Sequence, residues 1–224
     1  TRNRRIRYLS HLPDNCRIIP LCISVFFVEA QRQMRGEIVT TDTENTVKKL
    51  AEGKSIALVG LMGAGKSSVG KRLSESVRLP FYDSDDEIER AAGLSVSDIF
   101  ALHGEDEFRR VEQRVIERLV TGPQHILATG GGAFMNDITR GLLKEHAVTI
   151  WLRADLDTLW RRVSRREGRP LLKTENPKGR LRDLRAAREA TYALADIVVE
   201  SRDGPHINAV RDILSAIEER FAST

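Results

Sequence analysis

Residues 60–68 read GLMGAGKSS, and inside them lies G-x-x-x-x-G-K-S, closed by Lys66 and Ser67. Gly60, Gly63 and Gly65 let the chain turn tightly and bring backbone N–H groups against phosphate oxygens at the start of a helix, where unpaired donors and the helix dipole both favour anions. Lys66 adds a point charge for the β- and γ-phosphates, and the Ser67 hydroxyl suits Mg2+. The flanks agree. An apolar run, SIALVG, leads into the loop, and Val69, Leu73 and Val77 follow it at helical spacing. A strand, a phosphate-cradling turn and a helix are expected, with Gly63, Ala64, Gly65, Lys66, Ser67 and Ser68 as the nucleotide-binding stretch.

Outward from this loop, short apolar runs alternate with longer helical periodicities. The expected strands are SIALVG, LPFYDS, HILATG, AVTIWL and DIVVE, each followed by a helix-like segment. That alternation predicts an α/β domain, a five-stranded parallel sheet flanked by helices in three layers. Ser84-x-x-Glu87 and Ser95-x-x-Asp98 have the spacing of helix caps, and the last helix repeats Ile207, Val210, Ile213, Leu214, Ile217 and Phe221 on one face. Ligands of such sheets sit beyond the carboxyl ends of the strands. The informative residues should therefore follow strands: the loop above, the stretch 83–85, and the glycines at 130–132.

FYDSDDEIE places Asp83 and Asp85 at the exit of the second strand. Alternation along an extended strand sends i and i+2 the same way, so both carboxylates are expected to face one site. Metal-dependent phosphoryl transfer wants one such group for Mg2+, usually through water, and one for the accepting hydroxyl. Asp83, deeper on the strand, suits the metal, and Asp85 suits the acceptor. The competing reading is a helix start whose acidic residues merely answer the dipole.

Composition narrows the partners. The chain has 224 residues, 41% hydrophobic and 30% charged, which fits one domain with a tail. Its formal net charge of +4 is unevenly spread. Residues 1–35 hold seven arginines against Asp14 and Glu29, a balance of +5 that leaves −1 for everything after them. Nucleic-acid binding by the body of the protein loses its compositional support. No apolar run approaches the length of a membrane helix, and Cys16 and Cys22 define no disulfide framework or metal cluster.

Residues 1–35 are read as a leader or upstream tail, 36–54 as a linker, and 55–224 as the domain. A functional start at Met34 would make residues 1–33 a tail with no role. The arginine-rich opening followed by IIPLCISVFFV also has the shape of a targeting segment, with an organellar destination as the alternative to the cytoplasm.

Six motifs in order, GLMGAGKSSVG, DSDDEIE, SVSDIFALHGEDEFRRVE, LATGGGA, GRPLL and REATY, resemble those of the shikimate kinases. These are ATP-dependent enzymes of the nucleoside-monophosphate-kinase type, and the resemblance covers residues 55–221. It implies transfer of the γ-phosphoryl group of ATP to the 3-hydroxyl of shikimate, with Mg2+, by a monomer whose partners are these small molecules. It implies that Lys66 and Ser67 serve ATP and Mg2+, that Asp83 supports the metal, and that Asp85 holds shikimate hydroxyls beside the acceptor and takes its proton. Arg109, Gly130, Gly131, Gly132 and Arg188 are similar to substrate-binding positions. Arg162 is similar to a residue flanking adenine, and Arg169 to a lid arginine that joins the catalytic set.

The residues support this independently only in part. Shikimate bears one carboxylate and three hydroxyls, so its site wants guanidinium forks and a main chain close enough to reach the ring. Arg109 is adjacent to Arg110 among Glu105, Glu107 and Glu112, and either arginine could be the solvated one. Ten arginines fall between Arg153 and Arg188, and spacing alone selects none of them. Residues 166–179, polar and broken by Gly and Pro, read as a lid that would exclude water. A same-fold kinase of gluconate or another small hydroxy acid, and an ATP-hydrolysing switch protein, are the alternatives.

Overall fold

The computed structural model describes residues 53–165, 172 and 174–221. The tail, nearly all of the linker, and half of the stretch read as a lid, Arg169 included, lie outside the described residues.

Five strands form one sheet: β1 (Ser55–Val59), β2 (Phe81–Asp83), β3 (Ile126–Ala128), β4 (Ala147–Arg153) and β5 (Ile197–Glu200). Their order is β2-β3-β1-β4-β5, and every pairing is parallel. Parallel neighbours need long crossovers; among the described residues six helices lie between the strands and a seventh follows the last one. The helices are α1 (Lys66–Val77), α2 (Ser84–Ala92), α3 (Val96–Val120), α4 (Asp137–His146), α5 (Leu156–Val163), α6 (Pro177–Tyr192) and α7 (His206–Phe221), and Ala133–Met135 form a 3-10 turn.

Burial explains why the strands read as continuous apolar runs. Every residue of β1 is buried, because helices cover both faces of a central parallel strand. Helix α1 turns Val69, Leu73 and Val77 fully inward and packs against α7 and β3. Helix α7 sends Val210, Ile213, Leu214 and Ile217 to the same interior, with Ile207 and Phe221 at its edge. On the expected strand list all five stand; four are shorter than read, and β4 runs one residue further, to Arg153.

Two local expectations change. Ser84 does not cap α2; Asp83 does, its side chain accepting from the Asp85 N–H at 3.1 Å, and Ser84 becomes the first helical residue. Asp83 and Asp85 therefore do not alternate along a strand: one ends β2, and the other sits in the first helical turn. The lid stretch also ends earlier than read, because Pro177 opens α6, with Asn176 capping the Gly179 N–H at 2.9 Å. Pro fits a first helical position, where its missing N–H costs nothing. Ser95 caps α3 as its spacing indicates, accepting from the Asp98 N–H at 3.1 Å.

Helix α3 is two helical pieces joined at Gly104, which takes φ 80°, ψ 175°. In strand order, the chain leaves β1 toward β2 and β3 on one side and later toward β4 and β5 on the other. The carboxyl end of β1 is therefore the point where the crossovers part, and the glycine loop begins there.

Candidate active site

Residue Gly65 caps α1 with φ 96°, a left-handed conformation that glycine adopts without strain. The loop thus closes onto the helix N-terminus, and its amides line the mouth of a cleft of about 350 Å³. Lys66, 8% exposed, lies back over the loop and donates to the carbonyls of Gly60 at 2.7 Å and Leu61 at 3.0 Å. Its ammonium is thereby held where anionic oxygens would enter. Ser67 donates to Asp83 Oδ2 at 2.5 Å, which ties α1 to the end of β2.

The same cleft is lined by Asp83, Asp85, Thr129 and Gly131 on one side and by Gly65, Ser68, Arg162 and His206 on the other. Both carboxylates of the DSD stretch reach it, although by cap geometry rather than by strand alternation. Ala64 lies beneath, fully buried, with its carbonyl accepting from Ser201 Oγ at 2.7 Å.

The three glycines form a floor that side chains press against. Ser84 Oγ accepts from the Gly130 N–H at 2.7 Å, which anchors the floor to α2. A Cβ on Gly130 would stand 2.6 Å from Glu112 Oε1 and 2.8 Å from Asp85 Oδ1, so two carboxylates share the space above this residue. A Cβ on Gly132 would stand 2.4 Å from Arg109 Nη2 and 2.7 Å from Cζ and Nη1. The guanidinium therefore lies close over the main chain, and a larger residue at 132 would have to displace it. The Gly131 carbonyl accepts from Arg188 Nη1 at 3.0 Å and from the Tyr192 hydroxyl.

Arg109 and Arg110 are now distinguished. The Arg109 side chain is 21% exposed and paired with Glu112 at 2.6 Å and Glu105 at 2.9 Å, whereas Arg110 is 72% exposed. Burial pulls the Arg109 pKa down, and the adjacent Glu112 and Glu105 outweigh it, leaving the charge secure. Burial pushes the Glu112 carboxyl up, Arg109 opposes the shift, and Asp85 adds to it. Glu112 Oε1 has no hydrogen-bond partner among the described residues.

Arg162 spans from α5 to the loop. It donates to Ser201 Oγ at 2.9 Å and the Arg202 carbonyl at 2.6 Å, with longer contacts of 3.3 Å to Gly63 O and 3.4 Å to Ala64 O. Burial lowers its pKa, against the pull of Asp203 and Asp155.

Of the candidate site residues, Gly63, Gly65, Lys66, Ser67, Ser68, Asp83, Asp85, Gly131 and Arg162 line the cleft, and Ala64 is buried beneath it; Arg109 and Arg188 do not line it but adjoin the glycine stretch at Gly132 and Gly131, and Gly130 packs against Asp85. Sequence reading passed over Glu112, Tyr192, Ser201 and His206 as site residues. Spacing held a signal for two of them: Glu112 is three residues beyond Arg109, and Tyr192 four beyond Arg188, both on shared helix faces.

A parallel sheet with a phosphate-cradling loop at its switch point, facing a second half-site of carboxylates and guanidinium groups, defines a P-loop phosphotransferase. The shikimate kinase family model matches residues 62–218. The chain belongs to the shikimate kinase family. It is 53% identical to the shikimate kinase of Caulobacter vibrioides over 169 residues, covering 75% of this chain and 84% of that one. With the shikimate kinase of Rhizobium meliloti it shares 44% over 183 residues, 82% and 95% of the two chains. Among solved structures, shikimate kinase from Acinetobacter baumannii in complex with shikimate is 37% identical, with a TM-score of 0.71 over 79% of this chain and 97% of that one. A gluconokinase from Sinorhizobium meliloti, 18% identical with a TM-score of 0.53, shares the fold alone.

Proposed function

We propose that this cleft is where the γ-phosphoryl group of ATP passes to the 3-hydroxyl of shikimate, with Asp85 as the group that orients that hydroxyl and takes its proton. The observation that carries the reading is that Asp85 and the loop Lys66 line one cleft, across which donor and acceptor can meet. The loop amides and Lys66 receive the β- and γ-phosphates, and Lys66 exchanges a carbonyl partner for a phosphate oxygen as they arrive. Arg109 and Arg188 offer guanidinium forks to the shikimate carboxylate, and the glycine floor lets main chain approach the ring. Arg162 lies on the far side of the loop, the side for the nucleoside.

Oxygen donors at Ser67 and Asp83 suit Mg2+, a hard cation that keeps water and phosphate oxygens as its remaining ligands rather than a full protein cage. No group of three or more His, Cys, Asp or Glu side chains among the described residues makes such a cage, which is consistent with that mode of binding. When bound, the cation would neutralise charge on the transferring phosphates. Positioning and charge neutralisation then supply the rate, and no covalent intermediate with the protein is required. Among the described residues no helix is long and apolar enough to cross a membrane.

The test is acceptor dependence. ADP release is measured with ATP and Mg2+ alone, with shikimate and with gluconate. Rapid release with shikimate only is expected. Equal release without an acceptor would make the protein a hydrolase, and preference for gluconate would move it to the other kinase class.

A further inference from the structure

Before any substrate arrives, the Arg109 fork already carries two carboxylates, and they differ in kind. Nη1 donates to Glu112, whose side chain is 2% exposed; Nη2 donates to Glu105, whose side chain is 50% exposed. Glu112 cannot leave, because withdrawing it would strand a buried charge on each side. The Gly132 side of the guanidinium is closed by main chain. That leaves the Nη2 edge as the part of the fork open to exchange. Glu105 holds that edge from the residue directly after Gly104, where α3 breaks, and its exposed side chain can swing into water at little cost.

We propose that Glu105 is a stand-in for the substrate carboxylate, occupying the Nη2 edge of Arg109 in the empty enzyme and competing with the carboxylate of the acceptor for it. This rests on the reading of the cleft as the shikimate site. Glu105 therefore weakens acceptor binding instead of contributing to it. In exchange, the empty site presents a neutralised arginine, so a stray anion gains nothing unless its carboxylate fits the fork well enough to displace the resident one. A positioning role for Glu105, in which it holds Arg109 in place for the substrate, makes the opposite prediction.

Glu105→Gln keeps the shape and removes the charge. The expected result is a KM for shikimate lowered about two- to fivefold, the range of an exposed ion pair. The KM for ATP and the melting temperature should hold, and kcat should stay within about twofold, since Glu105 touches no reacting atom. The neutral methyl ester of shikimate is the control: with no carboxylate to compete, its KM should be the same in both enzymes. A raised or unchanged shikimate KM in the variant overturns the proposal, as does an equal gain for the ester. A wild-type enzyme that leaves shikimate unphosphorylated overturns the reading of the cleft itself. That outcome is visible before the variant is assayed, and so is distinct from failure of this proposal alone.

Discussion

Asp83 and Asp85 stand one residue apart and hold different positions in the structure. Asp83 caps α2 and accepts from Ser67, while Asp85, one step into the helix, faces the space above Gly130. Asp85→Asn keeps size and removes the proton acceptor. It should lower kcat by roughly 10²-fold or more, with the ATP dissociation constant nearly unchanged; activity within about threefold of wild type would give Asp85 another role. At the opposite end of the sheet, His125 is 1% exposed, with Nδ1 donating to the Pro123 carbonyl at 2.8 Å and Nε2 buried without a hydrogen-bond partner among the described residues. Burial lowers its pKa, which the Pro123 bond only partly opposes. The unfolded chain then binds the proton more readily, so stability is present above the unfolded-state pKa and is lost as pH falls through it toward the folded-state value. Melting temperatures between about pH 7.5 and 5.5 should fall more for wild type than for His125→Asn. Parallel curves for the two would remove His125 from the acid response.

The elements that carry chemistry are connections, and they differ in how much they disclose beforehand. The β1–loop–α1 unit was legible because glycine spacing, an apolar run and a helical repeat agree locally. The strands were legible for the same reason, since buried parallel strands are uninterrupted apolar runs. The boundary of α2 was misread because Ser84 and Asp83 are both good caps, and the choice between them was made by a partner far away in sequence: Ser84 Oγ is taken by Gly130. The break in α3 was not read at all, since an isolated glycine inside a helical pattern signals little by itself. Its backbone is nonetheless one that only glycine adopts readily, and nothing stands within 4 Å of a Cβ placed there. Gly104→Ala should therefore cost about 1–3 kcal/mol through backbone strain rather than through a clash. Denaturant titration measures it, and an unchanged midpoint would mean that the two halves of α3 can join without the kink.

Across the whole molecule, sheet order does what no single motif could. It sets β1 between β3 and β4, so the phosphate loop and the exits of β2 and β3 converge at one end. Arg162 and Arg188 are set apart from the ten nearby arginines by contacts to residues remote in sequence, and Arg109 from Arg110 by its place over Gly132 as well as by its pairs with Glu105 and Glu112 on its own helix. Glu105 and Glu112 flank Arg109 alike in sequence, yet Glu112 is buried beside the glycine floor and Glu105 is half exposed. The account as a whole requires donor and acceptor to meet between the loop and Asp85. A crystal structure of the protein with shikimate and a non-hydrolysable ATP analogue measures that separation. An acceptor hydroxyl within about 2.6–3.2 Å of the Asp85 carboxylate, facing the terminal phosphate, is the predicted result. Shikimate bound away from Asp85, with its carboxylate off Arg109 and Arg188, would contradict it.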